Sequence, residues 1–273
     1  MANETVSGSQ SDSMFFSNWV GSSILDEIRP HNVIEPLFRK EGKRPSLVFN
    51  FPLQDDPGAA ASNQTEGTAF SNTALTTSSQ TATARLNGMV ATVTDVLDAV
   101  SIVDAVSHFS QVLGRSCAEE KEVTLGAAFA NSTGAWSAAT LAGFYNAMAD
   151  LEAADATGTF VAVVLPATFA TLRTDLTTAT TVSYAGNAAN KTMDLGEAKP
   201  SGFVGNVAGV DTYMTSAAGT SCMFVKGVAH GIYEVWDLRT ETHRDTFQPG
   251  TQIAATTDYG VATIRAAWST DVA

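Results

Sequence analysis

Apolar and polar positions divide the chain into segments of clearly different texture. A polar stretch from Gln54 to Ala84, rich in Gly, Ala, Ser, Thr and Asn, lies between the apolar segments Leu47–Leu53 and Leu86–Val93. Both flanks alternate or run apolar as β-strands do. A structureless loop of this length does not belong inside a compact domain, so the stretch reads as a long arm. A two-stranded ribbon is at best marginally stable in water, so the arm is expected to be ordered by another surface, on another copy of the same chain.

Before the arm, Met1–Ser13 is small and polar. Phe15, Phe16, Trp19, Val20, Ile24, Leu25 and Ile28 then follow helix-compatible spacing. Pro30 ends that helix, because the residue before a proline disfavours the α region. From Val33 the chain reads as an extended arm reaching the basic cluster Arg39, Lys40, Lys43 and Arg44. That cluster is either a solvated turn or a docking site for an acidic surface on a neighbour.

After the arm, Ile102, Val106, Phe109, Leu113 and Cys117 recur at three- and four-residue steps and share one helical face. The pattern continues toward Phe129, giving a helix of roughly 40 Å, with a weak point at Glu122–Thr124. A second helix starts from Ser137 as N-cap and places Leu141, Phe144, Tyr145, Met148 and Leu151 on one face, with Gly158 closing it. Phe160–Leu165 is apolar on both faces, as in a central strand, and Pro166 terminates it. Phe169, Leu172 and Leu176 mark a short helix, and 177–199 a polar loop. Strands follow at Phe203–Val207, Val210–Met214 and Cys222–Val225. An alternating segment, Gly231–Leu238, leads into a charged turn at Arg239–Asp245. Gln252–Thr256 and a last strand, Val261–Trp268, complete the chain.

The chain has 273 residues, long enough for a sizeable core; 44% are hydrophobic and only 16% charged, and this composition excludes disorder throughout. The mean hydropathy is +0.04. A net charge of −13 does not suit a protein that grips nucleic acid through its phosphates. It does suit a wall that must not stick to a packed polyanion, with repulsion decaying over roughly 8 Å at physiological salt; maintenance of solubility explains the acidity equally well. Cys117 and Cys222 lie far apart with no metal-ligand spacing, and nothing favours their pairing. The N-terminus has no secretory pattern, which predicts a cytosolic start, and no apolar run approaches the length of a membrane span.

Candidate chemistry is sparse. His31, His108, His230 and His243 are dispersed, and no nucleophile elbow, phosphate loop or HExxH motif occurs. Gly202, Gly205 and Gly209 lack dinucleotide spacing and read as turns between strands. Neighbouring carboxylates such as Asp150 and Glu152 lack the opposed geometry that acid/base catalysis needs and read as solvated surface. The charged stretch Arg239–Asp245 fits a solvated hairpin end or an inter-subunit salt-bridge patch. No cofactor is expected.

The order of these parts resembles the major capsid protein of tailed bacteriophages, with its HK97-like fold. The passage VAVVLPATFATLRTDL is similar to the family's strand–proline–helix unit, and GFVGNVAGVDTYMTS to its later hairpin. GIYEVWD and TQIAATTDYGVATIRAAW resemble its returning peripheral strands. The resemblance implies an α+β chain made of an N-terminal arm (1–44), an extended β-hairpin loop (45–92), a peripheral domain with a spine helix (93–136), an axial domain (137–228) and returning peripheral strands (229–273). It implies a non-enzymatic subunit that forms hexamers and pentamers and closes into an icosahedral shell around double-stranded DNA. Such a shell is assembled in the host cytoplasm and carried in the virion, with scaffold, portal and decoration proteins as partners and no membrane.

Interlocking arms of this kind bury well over 2,000 Å² per pair. The subunit-interface candidates are Arg39, Arg44, Glu66, Phe70, Leu75, Arg85, Arg239 and Arg244, with Phe70 and Leu75 as apolar anchors and Glu66 paired with Arg85 across the interface. Some family members cross-link through a lysine on the extended loop. No lysine occurs here between Lys43 and Lys121. Two other readings compete: an encapsulin-like nanocompartment shell, and an enzyme using the long loop as an active-site lid.

Overall fold

The computed structural model describes residues 4–5, 32–42, 44–54, 66, 76–95, 97, 105–181, 202–245 and 249–272. In chain order the first strands are β1 (Glu4–Thr5), β2 (Arg39–Glu41), β3 (Val48–Gln54), β4 (Thr77–Thr83), β5 (Arg85–Thr94), β6 (Gly134–Trp136) and β7 (Phe160–Val164). They are followed by β8 (Phe203–Val207), β9 (Val210–Met214), β10 (Cys222–Val225), β11 (His230–Asp245), β12 (Gly250–Thr263) and β13 (Ser269–Val272). The helices are α1 (Ala105–Ala127), α2 (Leu141–Ala153) and α3 (Pro166–Thr181). The strands form a six-stranded sheet β6-β13-β10-β7-β9-β8, a five-stranded sheet β1-β5-β12-β11-β2, and the two-stranded ribbon β3-β4.

The run expected to be a central strand is one. β7 lies between antiparallel β10 and parallel β9, and Val161–Val164 are buried. Helices α2 and α3 pack on it through Phe144, Leu151 and Leu172, which meet Trp136, Val164 and Met223. The N-cap of α2 is Thr140 rather than Ser137: the Gly143 N–H donates to the Thr140 hydroxyl at 3.2 Å, and the Leu141 N–H to the Asp175 carboxylate at 3.0 Å. The helix ends at Ala153, ahead of Asp155 at φ 51°, so Gly158 belongs to the loop before β7. Pro166 both stops β7 and opens α3, a first-turn position where its missing N–H costs nothing. The helix continues past Leu176 to Thr181, into the segment expected to be loop.

Helix α1 has 23 residues, about 35 Å, and runs unbroken through Glu122–Thr124. Leu113, Cys117, Lys121 and Leu125 recur every four residues and all are buried. The inward face therefore persists through the suspected break, with a lysine at a core position. Leu113 and Cys117 meet Val93, Leu97, Ile253 and Ala255 of the five-stranded sheet.

Three expectations give way here. Val33–Phe38 is not an extended arm: Val33, Ile34, Leu37 and Phe38 are buried, a 3-10 turn spans Glu35–Leu37, and β2 then pairs parallel to β11. The apolar side chains draw this segment into the core, where Phe38 stacks on His230 at 5.0 Å and meets Phe129 and Phe224 edge-on. Arg239–Asp245 is not a turn but the far half of β11, paired with β12 out to Asp245↔Gly250. The closing segment is one strand to Thr263, a 3-10 turn at Ala266–Trp268, and then β13, which crosses to the six-stranded sheet between β10 and β6. The helix expected over Phe15–Ile28 lies outside the described residues. Gly202 and Gly209 lie in turns on either side of β8, as expected, with positive φ, whereas Gly205 is not a turn between strands but lies inside β8 next to a register shift in its pairing with β9.

Candidate functional site

The polar arm is a hairpin, but not the one its apolar flanks predict. β3 pairs antiparallel with β4, from Val48↔Thr83 to Gln54↔Thr77, while the apolar flank after it, β5, pairs with β12 instead. The partner strand, TSSQTAT, has no apolar alternation, and only its β-branched threonines hint at a strand. Of the ribbon's side chains, Phe51 and Ala82 are buried, while the rest are partly or fully exposed.

The root of the hairpin is firmly seated. Phe51 lies over Gly231, where an added Cβ would come within 2.7 Å of the ring. Phe49 stacks on Tyr233 with centroids 5.3 Å apart. The Tyr233 hydroxyl donates to the Ser46 carbonyl at 2.5 Å and accepts from the Arg44 N–H at 3.2 Å. On the adjacent strand, Gly260 passes so close to the Thr83 backbone that a Cβ would stand 2.5 Å from it. Gly231 and Gly260 were not among the expected site residues. A glycine inside a strand does signal close backbone approach, and that signal was present in GIYEV and TDYGV.

The candidate arginines on the first segment attach to this root. Arg39 pairs with Glu41 at 2.9 Å and lies 5.8 Å from the Phe51 ring centroid, and Arg44 lies 5.9 Å from that of Phe49. On the far half of β11, Arg239 pairs with Glu241 at 3.0 Å and covers Trp236, and Arg244 reaches Asp95 at 2.9 Å. Glu66 is exposed; Phe70 and Leu75 lie outside the described residues. Arg85, exposed at the first position of β5, makes no ion pair among the described residues. Exposed apolar side chains gather near the root and along β5: Leu47, Val48, Leu86, Met89 and Val90 are 45–65% exposed.

Behind the root, a closed ring of charges ties the N-terminal segment to α1 and β11. Lys121 contacts Glu35 at 2.9 Å and Glu234 at 2.7 Å, and Lys40 contacts the same two carboxylates at 2.7 and 2.6 Å. Burial alone would raise the Glu35 carboxyl, but bonds and charge from Lys40 and Lys121 outweigh it and hold the group below its ordinary range. Beside the ring, the Glu122 carboxylate accepts the Ile34 N–H at 2.8 Å while its second oxygen has no partner. Burial pushes that carboxyl up to about 7. His230, with neither ring nitrogen bonded, is pushed down to about 3 by burial alone. These groups hold structure; among the described residues no three metal-ligating side chains gather.

A cleft of about 590 Å³ opens beside the root. It is bounded by Thr81 and Thr83 of the hairpin, Arg85 and Asn87 of β5, the Glu120–Ala127 end of α1, the 3-10 turn Ala128–Asn131 that follows it, and β12 from Tyr259 to Thr263.

No protein-family model matches the chain, and no curated protein matches it. Solved structures do. The capsid of cyanophage P-SCSP1u aligns at TM-score 0.71 and 13% identity, covering 97% of this chain and 94% of that one. A structure from Mycobacterium phage Che8 aligns at 0.66 and 16% over 100% and 98%, and the capsid of Ralstonia phage GP4 at 0.64 and 10% over 98% of each. With a long helix packed on the five-stranded sheet, a separate six-stranded sheet and a two-stranded hairpin rooted on β11 and β12, the chain has the HK97-like fold of phage capsid proteins.

Proposed function

We propose that this chain is a major capsid protein, the subunit that self-assembles into the icosahedral head shell around viral double-stranded DNA. The observation that carries the reading is the hairpin: a paired ribbon, anchored at its root and exposed along its length, on a fold whose solved examples build capsids over nearly their whole chains. A lid over an active site needs chemistry beneath it. What lies beneath this hairpin is glycine, phenylalanine and a tyrosine bonded to backbone.

Repeated heterologous contacts with a closing rotation give finite shells, here of hexamers and pentamers. In this reading the hairpin lies across a neighbour and holds it by strand pairing and burial, without a covalent link. Packaged DNA is nearby but not bound by sequence; scaffold, portal and decoration proteins complete the particle. Electron microscopy of the purified chain tests the proposal. Closed uniform particles or sixfold rings are expected, and a monomer at all concentrations contradicts it.

A further inference from the structure

Residues 33–41 form a wedge between the six-stranded and five-stranded sheets. Val33 packs on Gly202, just before β8, so closely that an added Cβ there would stand 2.7 Å from it. Ile34, Leu37 and Phe38 enter a cluster that joins β7 and β10 of one sheet to Ile232 of the other. The Leu37 carbonyl accepts the Gly227 N–H at 2.8 Å, between β10 and β11, and β2 then pairs with β11. The same segment leads into the hairpin root, where Arg39 lies against the Phe51 ring and the Arg44 N–H bonds to the Tyr233 hydroxyl. Its first turn is held by Glu122 of α1, a buried carboxylate that accepts the Ile34 N–H and leaves its other oxygen without a partner. We propose that this segment is a proton-controlled wedge: it is seated while Glu122 is protonated, loosens locally when Glu122 ionises, and carries the hairpin root with it.

The charges around Glu122 give the wedge its direction. The ring beside it sets Lys40 and Lys121 against Glu35 and Glu234, so it is balanced without a third carboxylate. Burial disfavours an ionised Glu122 and outweighs the N–H groups of Ile34, Glu35 and Val33 that favour it, and the charge of Glu35 opposes it further. Those N–H groups belong to the wedge, so ionisation is relieved by loosening the segment and readmitting water. The other titratable groups there are otherwise engaged or displaced. Arg39 and Glu41 of β2 pair with each other, and Glu120 of α1 accepts from the Tyr259 hydroxyl. His230 of β11 is neutral above about pH 3, while burial pushes the Tyr213 and Tyr259 phenols and the Cys222 thiol up. Among these displaced groups only Glu122 titrates between pH 6 and pH 8.5.

Amide hydrogen exchange of the full chain at pH 6 and pH 8.5, each corrected for the intrinsic exchange rate, tests the wedge. A carboxyl at about 7 when covered and at 4.5 once uncovered makes protection over 34–41 fall by about tenfold between the two conditions. The root amides over 44–53 should follow, while those of β7 and α2 keep their protection. In Glu122→Gln, protection over 34–41 should be the same at both pH values. Unchanged protection over 34–41 in the parent overturns the wedge, and so does an equal loss in β7 and α2, which marks global unfolding. A Gln variant that loses protection as the parent does overturns the role of Glu122. A root that stays protected while 34–41 loosens overturns the coupling to the hairpin. Should the variant not fold, the parent's two profiles decide. The wedge is read on the subunit, so its failure and that of the shell reading are separate results.

Discussion

The six-stranded sheet and the β3–β4 ribbon are both β-structure, and they differ in what they bury. In β10 all four residues are buried, and in β7 all but the first. In β4 one residue of seven is buried, Ala82. The sheet is stabilised by its own apolar contacts. The ribbon is stabilised where it is rooted, through Phe51, and a lone pair of strands is marginal beyond that point. One chain therefore combines a self-sufficient core with an element that needs a neighbour. Substitutions in the first should lower subunit stability, and substitutions in the second should lower assembly.

The largest effect on the subunit is expected from Phe224→Ala. Phe224 is fully buried against Phe38, Phe129 and His230, and its loss should cost about 3–5 kcal/mol in denaturant unfolding. Lys121→Met follows, at roughly 3 kcal/mol or more, because it leaves Glu35 and Glu234 sharing only the half-exposed Lys40. A loss below about 0.5 kcal/mol in either would mean that the core is not organised as described.

The charge ring and its neighbour also predict a pH dependence. Glu122 has a folded pKa of about 7, above its ordinary 4.5, so the folded state holds an extra proton between those values. The stability this contributes is present in full below about pH 4.5 and is lost as the pH rises through 7. Glu122→Gln should remove that loss, so the variant's unfolding free energy should gain on the parent's as the pH rises from 5 to 8, by an amount on the order of 1–3 kcal/mol. His230 acts in the opposite sense: its folded pKa of about 3 lies below its ordinary 6.5, so stability falls as the medium is acidified through that window. A difference between parent and variant that stays the same from pH 5 to pH 8 would contradict the assignment to Glu122.

Smaller on the subunit but sharper for the comparison is Gly260→Ala. The added methyl must displace the Thr83 backbone, at about 1–3 kcal/mol, and it moves the hairpin relative to the sheet. Light scattering should show fewer or misshapen particles at a temperature where the subunit remains folded. Normal particles would mean that the seat does not set the hairpin's position.

The sequence made the core legible wherever one physical signal dominated. Phe160–Leu165 is apolar on both faces and became the central strand β7; the three short strands that follow 202 lie where alternation put them. Elsewhere two signals conflicted. Lys121 occupies an inward helical position because two carboxylates from distant segments neutralise it, something no local pattern reveals. The far half of β11 reads as a charged turn because it carries the exposed Arg239, Glu241, His243 and Arg244, although its backbone is paired throughout. The hairpin's return strand, Thr77–Thr83, has almost no apolar side to show, and its pairing depends on β3. Of the expected interface residues, Arg39 and Arg44 lie at the hairpin root and Arg85 at the cleft, whereas Gly231, Tyr233 and Gly260, which seat the hairpin, emerged only with the tertiary structure.

Excision of the hairpin tip tests the central claim most directly. A variant in which residues 65–76 are replaced by a two-residue Asn-Gly turn should unfold at the parent's temperature, within about 2 °C, because the described core clusters are built from residues outside that segment. Sedimentation of the same sample should show that particles are lost. Particles formed at the parent's yield and thermal stability would contradict the claim that the hairpin holds the shell together.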